Sequence, residues 1–200
     1  MSATPLSSAA RPSGISRLTM PVRRSELALR TRTDFVGHIA ALAERVMATP
    51  PARPAWARLI ALSGIDASGK GLIARHLAAA IERLGLRTAV IGLDEWHQPP
   101  AIRFGDPPGE HFYRHAFDFE GVFARVLEPL RLHRMLHTLC VRPHPHDGTP
   151  RGISYRLDDI DVVLFEGVFA LRRDLRPRYD LRVWVDCPFE IALERARARN

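Results

Sequence analysis

Residues 64–71 read Gly64-Ile65-Asp66-Ala67-Ser68-Gly69-Lys70-Gly71, a G-x-x-x-x-G-K run. Glycines in such a run let the backbone wrap an anion with its N–H groups turned inward. The N-terminus of a following helix adds positive potential, and the lysine brings a compact, mobile charge to the β- and γ-phosphates of a nucleotide. Lys70 is the only lysine in the chain; the other 28 basic residues are arginine. A chain that otherwise always uses arginine has an ammonium group at this one position. A glycine-rich turn with a chance lysine is the plain alternative. The apolar run before the loop, the helical pattern after it and the uniqueness of Lys70 favour a nucleotide phosphate site over the whole of Gly64 to Gly71. One position departs from the pattern. The residue after the lysine is ordinarily Ser or Thr, whose hydroxyl ligates Mg²⁺, and here it is Gly71. Ser63 and Ser68 are nearby hydroxyls, but the sequence assigns neither to that duty.

Two carboxylates stand where such a site would use them. Asp94 follows one apolar run, in Gly92-Leu93-Asp94-Glu95-Trp96, and Glu166 follows another, in Leu164-Phe165-Glu166-Gly167. Parallel strands end on a common edge, so both acids are expected in one crevice beside the loop. Transfer to a hydroxyl needs a base, and Mg²⁺ needs a carboxylate or a held water shell. Either acid alone could simply cap the turn that follows it. The pair, beside a phosphate loop, favours a functional reading.

The elements that must position these groups follow from the hydrophobic pattern. Residues 1–24 are rich in Ser, Ala, Pro and Arg and contain no acid; they are expected to be an unstructured tail, with a transit peptide as the lesser alternative. Residues 25–55 carry one amphipathic helix, over 34–48 with Phe35, Ile39, Leu42 and Val46 on its apolar face, and then a Pro-rich linker. The remaining unit, 56–200, reads as strand 59–63, helix 72–84 stopped at Gly85, strand 87–93, a long loop over 95–117 and a helix over 118–136 kinked at Pro129. A short strand over 139–141, a polar loop over 143–156, strands 161–165 and 181–185 and a helix from 189 complete it. Near-continuous apolar strands alternating with helices specify an α/β fold, a parallel sheet covered by helices on both faces.

Composition excludes several functions. The 200 residues are 46% hydrophobic, enough for a core without staples, and no run approaches the length of a membrane span. With two cysteines, Cys140 and Cys187, there is neither a disulfide framework nor a Cys-rich zinc site. Both lie in apolar strand-like runs, which fits buried thiols in a reducing cytoplasm. The net charge of +7 falls short of a dedicated nucleic-acid binder, so no nucleic-acid partner is expected. A single lysine leaves no Asn-Lys-x-Asp for guanine and no Val-Ala-Ile-Lys of a protein kinase. His133 and His137 would share a helix face if the helix ran that far, and His144-x-His146 is a loop pair, but no acid or cysteine completes a ligand set with them. The arginines over 172–178 read as a solvated face.

At this point the residues resemble the uridine kinase and phosphoribulokinase family of P-loop kinases, from about Leu59 onward. Ala67-Ser68-Gly69-Lys70 is similar to the family's phosphate loop. Asp161-Val162-Val163-Leu164-Phe165-Glu166-Gly167 is similar to its strand and Glu-Gly turn. Phe117-Asp118 resembles the segment that touches the nucleoside ribose, and Trp184-Val185-Asp186 followed by Leu193-Glu194-Arg195 resembles the strand and helix that lead into the lid. The resemblance implies a kinase that uses Mg²⁺ with ATP to phosphorylate a small-molecule hydroxyl, a nucleoside such as uridine or cytidine foremost. Pantothenate, glycerate and phosphoribulose are the rival acceptors, and a nucleotide-binding module without turnover is the rival from another class. It implies Asp94 as the base, Glu166 in the Mg²⁺ shell through water, Asp118 on sugar hydroxyls, and Lys70, Arg195 and Arg199 on phosphoryl charge. Trp96, with Phe112 and Tyr113, could stack on an acceptor base, though packing of the long loop explains them equally. Val141-Arg142-Pro143-His144 stands in place of the family's Val-Pro-x-Tyr-Asp. Because the sequence stops inside a helix, the C-terminal lid and an edge strand are expected to be missing.

Overall fold

The structure is a computed structural model that describes residues 16–19, 27–144 and 147–198. Five parallel strands form the main sheet: β1 (Ser16–Thr19), β2 (Arg58–Ser63), β3 (Thr88–Gly92), β6 (Val162–Glu166) and β7 (Leu181–Asp186), in spatial order β1-β7-β2-β6-β3. Their alternating side chains build two cores. Leu59, Ala61, Ile91, Val163 and Phe165 face one side and pack on Phe123, Val126, Leu127 and Leu130. Ile60, Leu62, Leu164, Val183 and Val185 face the other, against Ile39, Leu42 and Val46 of α1 (Leu27–Ala48) and Ile73, Leu77 and Ile81 of α2 (Lys70–Arg83). Burial on both faces is why the middles of β2 and β6 are wholly apolar. The α/β fold read from the sequence therefore stands.

Several elements differ from the expectation. Ser16–Thr19 lies within the stretch expected to lack structure, yet it pairs in parallel with β7, Ser16 against Val183 and Thr19 against Asp186. β1 thus forms the edge of the sheet beside β7. The first helix begins at Leu27, seven residues before the amphipathic pattern does. The long loop over 95–117 contains a 3-10 turn (Leu93–Trp96) and two helices, α3 (Pro100–Arg103) and α4 (Pro108–His115). Each helix starts on a proline, which suits a first turn because the missing N–H has no intrahelical partner there. The kinked helix is α5 (Phe119–Val122), a π-type turn (Phe123–Leu127) and α6 (Glu128–His133). Pro129 follows the π turn, which accommodates the absent N–H.

The polar loop over 143–156 is largely a strand. β4 (Leu136–Pro143) and β5 (Pro150–Leu157) form an antiparallel hairpin apart from the main sheet. Since α6 ends at His133 and His137 lies in β4, those two histidines do not share a helix face. His137 instead pairs with Asp158 at 2.9 Å. Among the described residues no group of three or more His, Cys, Asp or Glu side chains is placed to hold a metal, and no helix is long and apolar enough to cross a membrane. Cys140 and Cys187 are both buried free thiols.

Candidate phosphate-transfer site

β2 runs between β6 and β7, and the Gly64–Gly71 loop leaves its C-terminal end to enter α2. Two residues take left-handed backbone to close the turn, Ala67 at φ 55° and Gly69 at φ 94°. The loop is pinned from within: the Ser68 N–H donates to the Ile65 carbonyl at 3.2 Å, and the Ala67 N–H donates to the Asp66 carboxylate at 2.7 Å. Lys70 is almost wholly buried, 9% exposed, and its Nζ donates to the Ile65 carbonyl at 2.9 Å. That bond holds the ammonium folded across the mouth of the loop, where a phosphate oxygen would compete for it. Gly64 is required by packing, since a Cβ there would lie 2.6 Å from the Val185 carbonyl oxygen.

The two expected carboxylates do converge on the loop. Gly92 at the end of β3 is in register with Glu166 at the end of β6, so Asp94 leaves the sheet beside Glu166. Asp66, Lys70, Gly71, Asp94, Glu166 and Arg195 border one crevice of about 490 Å³. Burial pushes the Glu166 carboxyl above the ordinary carboxylate range, and the charge of Asp94 pushes it the same way. Lys70 and Arg75 act in the opposite direction. Asp94 is exposed, and its carbonyl accepts a bond from His97 Nδ1 at 2.8 Å.

A cation with oxygen ligands fits the pair of acids, because it would relieve the like charge that Asp94 and Glu166 impose on each other. The loop hydroxyl that ordinarily joins them is absent at Gly71, and the neighbouring serines do not supply it. Ser63 donates to the Gly167 carbonyl at 2.9 Å. Ser68 Oγ is buried, without a hydrogen-bond partner among the described residues, and faces Gly64: a Cβ on Gly64 would lie 2.8 Å from it.

The remaining site residues divide. Arg195, in α7 (Phe189–Arg197), is exposed and comes beside the loop, its Nη1 3.8 Å from Cys187 Sγ. Arg199 lies outside the described residues. Asp118 borders a second cavity, of about 460 Å³, but both its oxygens are engaged. Oδ1 caps α5 by accepting the Gly121 N–H at 2.8 Å, and Oδ2 accepts from Arg142 Nη1 at 2.5 Å. Trp96 is a correction. The 3-10 turn rotates it into the core, where it is 0% exposed, donates to the Tyr155 hydroxyl at 3.3 Å and lies under the Arg142 guanidinium. No face of the indole is left for an acceptor to stack on. Tyr113 does stay accessible, 39% exposed, and with Ile65, Phe169 and Trp184 lines an apolar cavity of about 490 Å³ against the start of the phosphate loop.

Two residues near the site were given no role by the sequence reading. Arg142 carries no local signal, because its partner Asp118 is 24 residues away on another element. Arg75 does carry one: it stands four residues after Gly71 on α2, the spacing that puts two positions on one helix face. A Cβ on Gly71 would lie 3.8 Å from Arg75 Nη1.

No protein-family model and no curated protein matches the sequence. Solved structures do match. A protein provisionally named a uridine kinase, from Bacillus stearothermophilus, is 23% identical with a TM-score of 0.62, over 81% of this chain and 85% of that one. One provisionally named a fructose transport system kinase, from Silicibacter sp. TM1040, is 25% identical with a TM-score of 0.63, over 80% of each chain. The fold is that of P-loop kinases, in line with the resemblance read from the sequence.

Proposed function

We propose that the protein is a small-molecule kinase that transfers the γ-phosphoryl group of ATP to a hydroxyl of its acceptor. The observation that carries this reading is the joint placement of Lys70, Asp94 and Glu166 in one crevice at the mouth of a glycine loop on the end of a parallel strand. Loop N–H groups and Lys70 bind the phosphates. Arg195, on the far side of the loop, neutralises charge that builds up on the transferred group. Asp94 is exposed at the crevice and makes no side-chain ion pair among the described residues, which suits a base that receives the acceptor's proton at a carboxylate oxygen. Mg²⁺, held by Glu166 through water, would supply electrostatic stabilisation of the phosphates. Such chemistry is mostly positioning and electrostatics.

A nucleoside remains the leading acceptor, because Phe117-Asp118 and the Glu166-Gly167 turn resemble uridine kinases. The Silicibacter neighbour adds a sugar to the candidates, beside pantothenate, glycerate and phosphoribulose. ADP release from Mg·ATP is measured with uridine, cytidine, fructose, pantothenate, glycerate and ribulose 5-phosphate, with Asp94→Asn alongside. Turnover that needs one acceptor and falls by about 10²–10⁴-fold in Asp94→Asn, the usual contribution of a general base, supports the proposal and names the substrate. ATP binding that survives without turnover on any acceptor would favour a nucleotide-binding module instead.

A further inference from the structure

The glycine after the lysine has two consequences, and only the first is a loss. It removes the hydroxyl that would ligate a metal, and neither Ser63 nor Ser68 turns toward the gap. It also leaves room. The space that a side chain at position 71 would fill is flanked by a carboxylate and a guanidinium: Glu166 Oε1 lies 3.4 Å from an ideal Cβ there and Arg75 Nη1 lies 3.8 Å from it. Arg75 reaches this place because it is one helical turn beyond Gly71, on the same face of α2.

Arg75 is not consumed by a structural duty. It is exposed on α2, and no ion pair within 4.0 Å joins it to Glu166 or to another acid among the described residues. By contrast, other arginines are engaged in ion pairs: Arg131 with Asp180, and Arg172 with Asp174 through two nitrogens. A planar guanidinium with free N–H groups is the side chain best suited to bind phosphate oxygens in pairs.

We infer that Arg75 is a phosphate-binding residue that offsets the missing hydroxyl at Gly71, so that ATP binding by this chain depends on Arg75 and only weakly on divalent metal. The inference deepens the kinase proposal and rests on its nucleotide-binding half. Arg75 supplies fixed positive charge where other loops of this type recruit it through a metal ligand. Glu166 keeps the guanidinium close without closing on it.

The test is ATP binding by calorimetry, with Mg²⁺ and in EDTA, for the wild type, Arg75→Gln, Lys70→Ala, Gly71→Ser and the double variant Gly71→Ser/Arg75→Gln. The wild type binds ATP with affinities that agree within a few-fold in the two buffers. Arg75→Gln loses about tenfold or more in EDTA, the size of a charge-assisted hydrogen bond. Adding Gly71→Ser to it restores binding in Mg²⁺ and not in EDTA, because the new hydroxyl acts only through the metal. Wild-type affinity in EDTA for Arg75→Gln, with binding lost in Lys70→Ala, overturns the inference and leaves the nucleotide site intact. Unchanged affinity in Lys70→Ala overturns the nucleotide site and the inference with it.

Discussion

Gly64→Ala is the most direct probe of how the phosphate loop is held. Its φ is not in the left-handed region, so the cost of alanine is packing alone. The added methyl would lie 2.6 Å from the Val185 carbonyl oxygen, 2.8 Å from Ser68 Oγ and 3.2 Å from Val185 Cβ. A serine hydroxyl can rotate away. The carbonyl cannot, because Val185 is fully buried in β7, a strand paired on both sides. The loop must therefore lift off the sheet. Overpacking of this kind costs about 1–3 kcal/mol, which lowers the melting temperature of a chain this long by roughly 2–12 °C. The lift also misdirects loop N–H groups. Losing one hydrogen bond to a charged phosphate costs about 1.5–3 kcal/mol, roughly 10- to 150-fold in ATP affinity. Thermal melting and an ATP titration read the two effects, with Gly109→Ala, which meets nothing within 4 Å, as the control. Melting and affinity within error of the wild type would show that the loop is not seated on β7 as described.

Glu166→Gln tests the crevice electrostatics through stability. Burial and Asp94 raise the folded-state pKa of Glu166 above its ordinary 4.5, so the stability it contributes is complete below that value and is lost as pH rises through the folded pKa. The glutamine variant has no such loss, so urea denaturation should show it gaining on the wild type as pH rises above 4.5; a difference flat with pH would sink the reasoning. Asp180→Ala strands the half-buried Arg131 guanidinium and the Leu59 N–H that Asp180 accepts at 2.8 Å, and should cost about 3–5 kcal/mol in equilibrium unfolding. Gly37→Ala, exposed in α1 with nothing within 4 Å of the new methyl, should add about 0.5–1 kcal/mol, seen as a higher melting temperature without a change in ATP affinity.

What the sequence made legible is what burial writes into it. β2, β6 and β7 are covered on both faces and β3 on the side of Ala89 and Ile91, so each appears as an apolar run, and the acids and glycines at their ends stand out by contrast. β5 is held by pairing with β4 instead. Its half-buried face, with Ile153, Tyr155 and Leu157, alternates with the exposed Pro150, Gly152, Ser154 and Arg156, and Pro150, Gly152 and two arginines read as loop. β1 is four residues whose signal is a partner strand some 165 residues away. Trp96 was misplaced for a related reason: among prolines, histidines and charges it looks solvent-facing, and only the turn after β3 puts it beneath Arg142. The site was legible in its loop and its two acids, because those obey local spacing. Arg142 and the fate of Asp118 were not, because a pair that joins a hairpin to a helix cap has no spacing to read.

The charges around the crevice explain why Arg75 matters more here than an exposed arginine ordinarily would. Asp66, Asp94 and Glu166 border the space that phosphates must enter, and each opposes a polyanion. Lys70 is a single ammonium, and Arg195 approaches from a separate helix beyond the loop. In a loop that carries a hydroxyl after the lysine, a directly ligated divalent cation supplies the rest of the compensation. Gly71 weakens that route, so the balance has to be made up by charge the chain already owns. Among the described arginines, Arg75 is the one whose Nη1 lies within 4 Å of the vacated position. In a phosphate loop without its metal-ligating hydroxyl, a fixed cation close by takes over part of that compensation, and the spacing of one helical turn is what brings this one there.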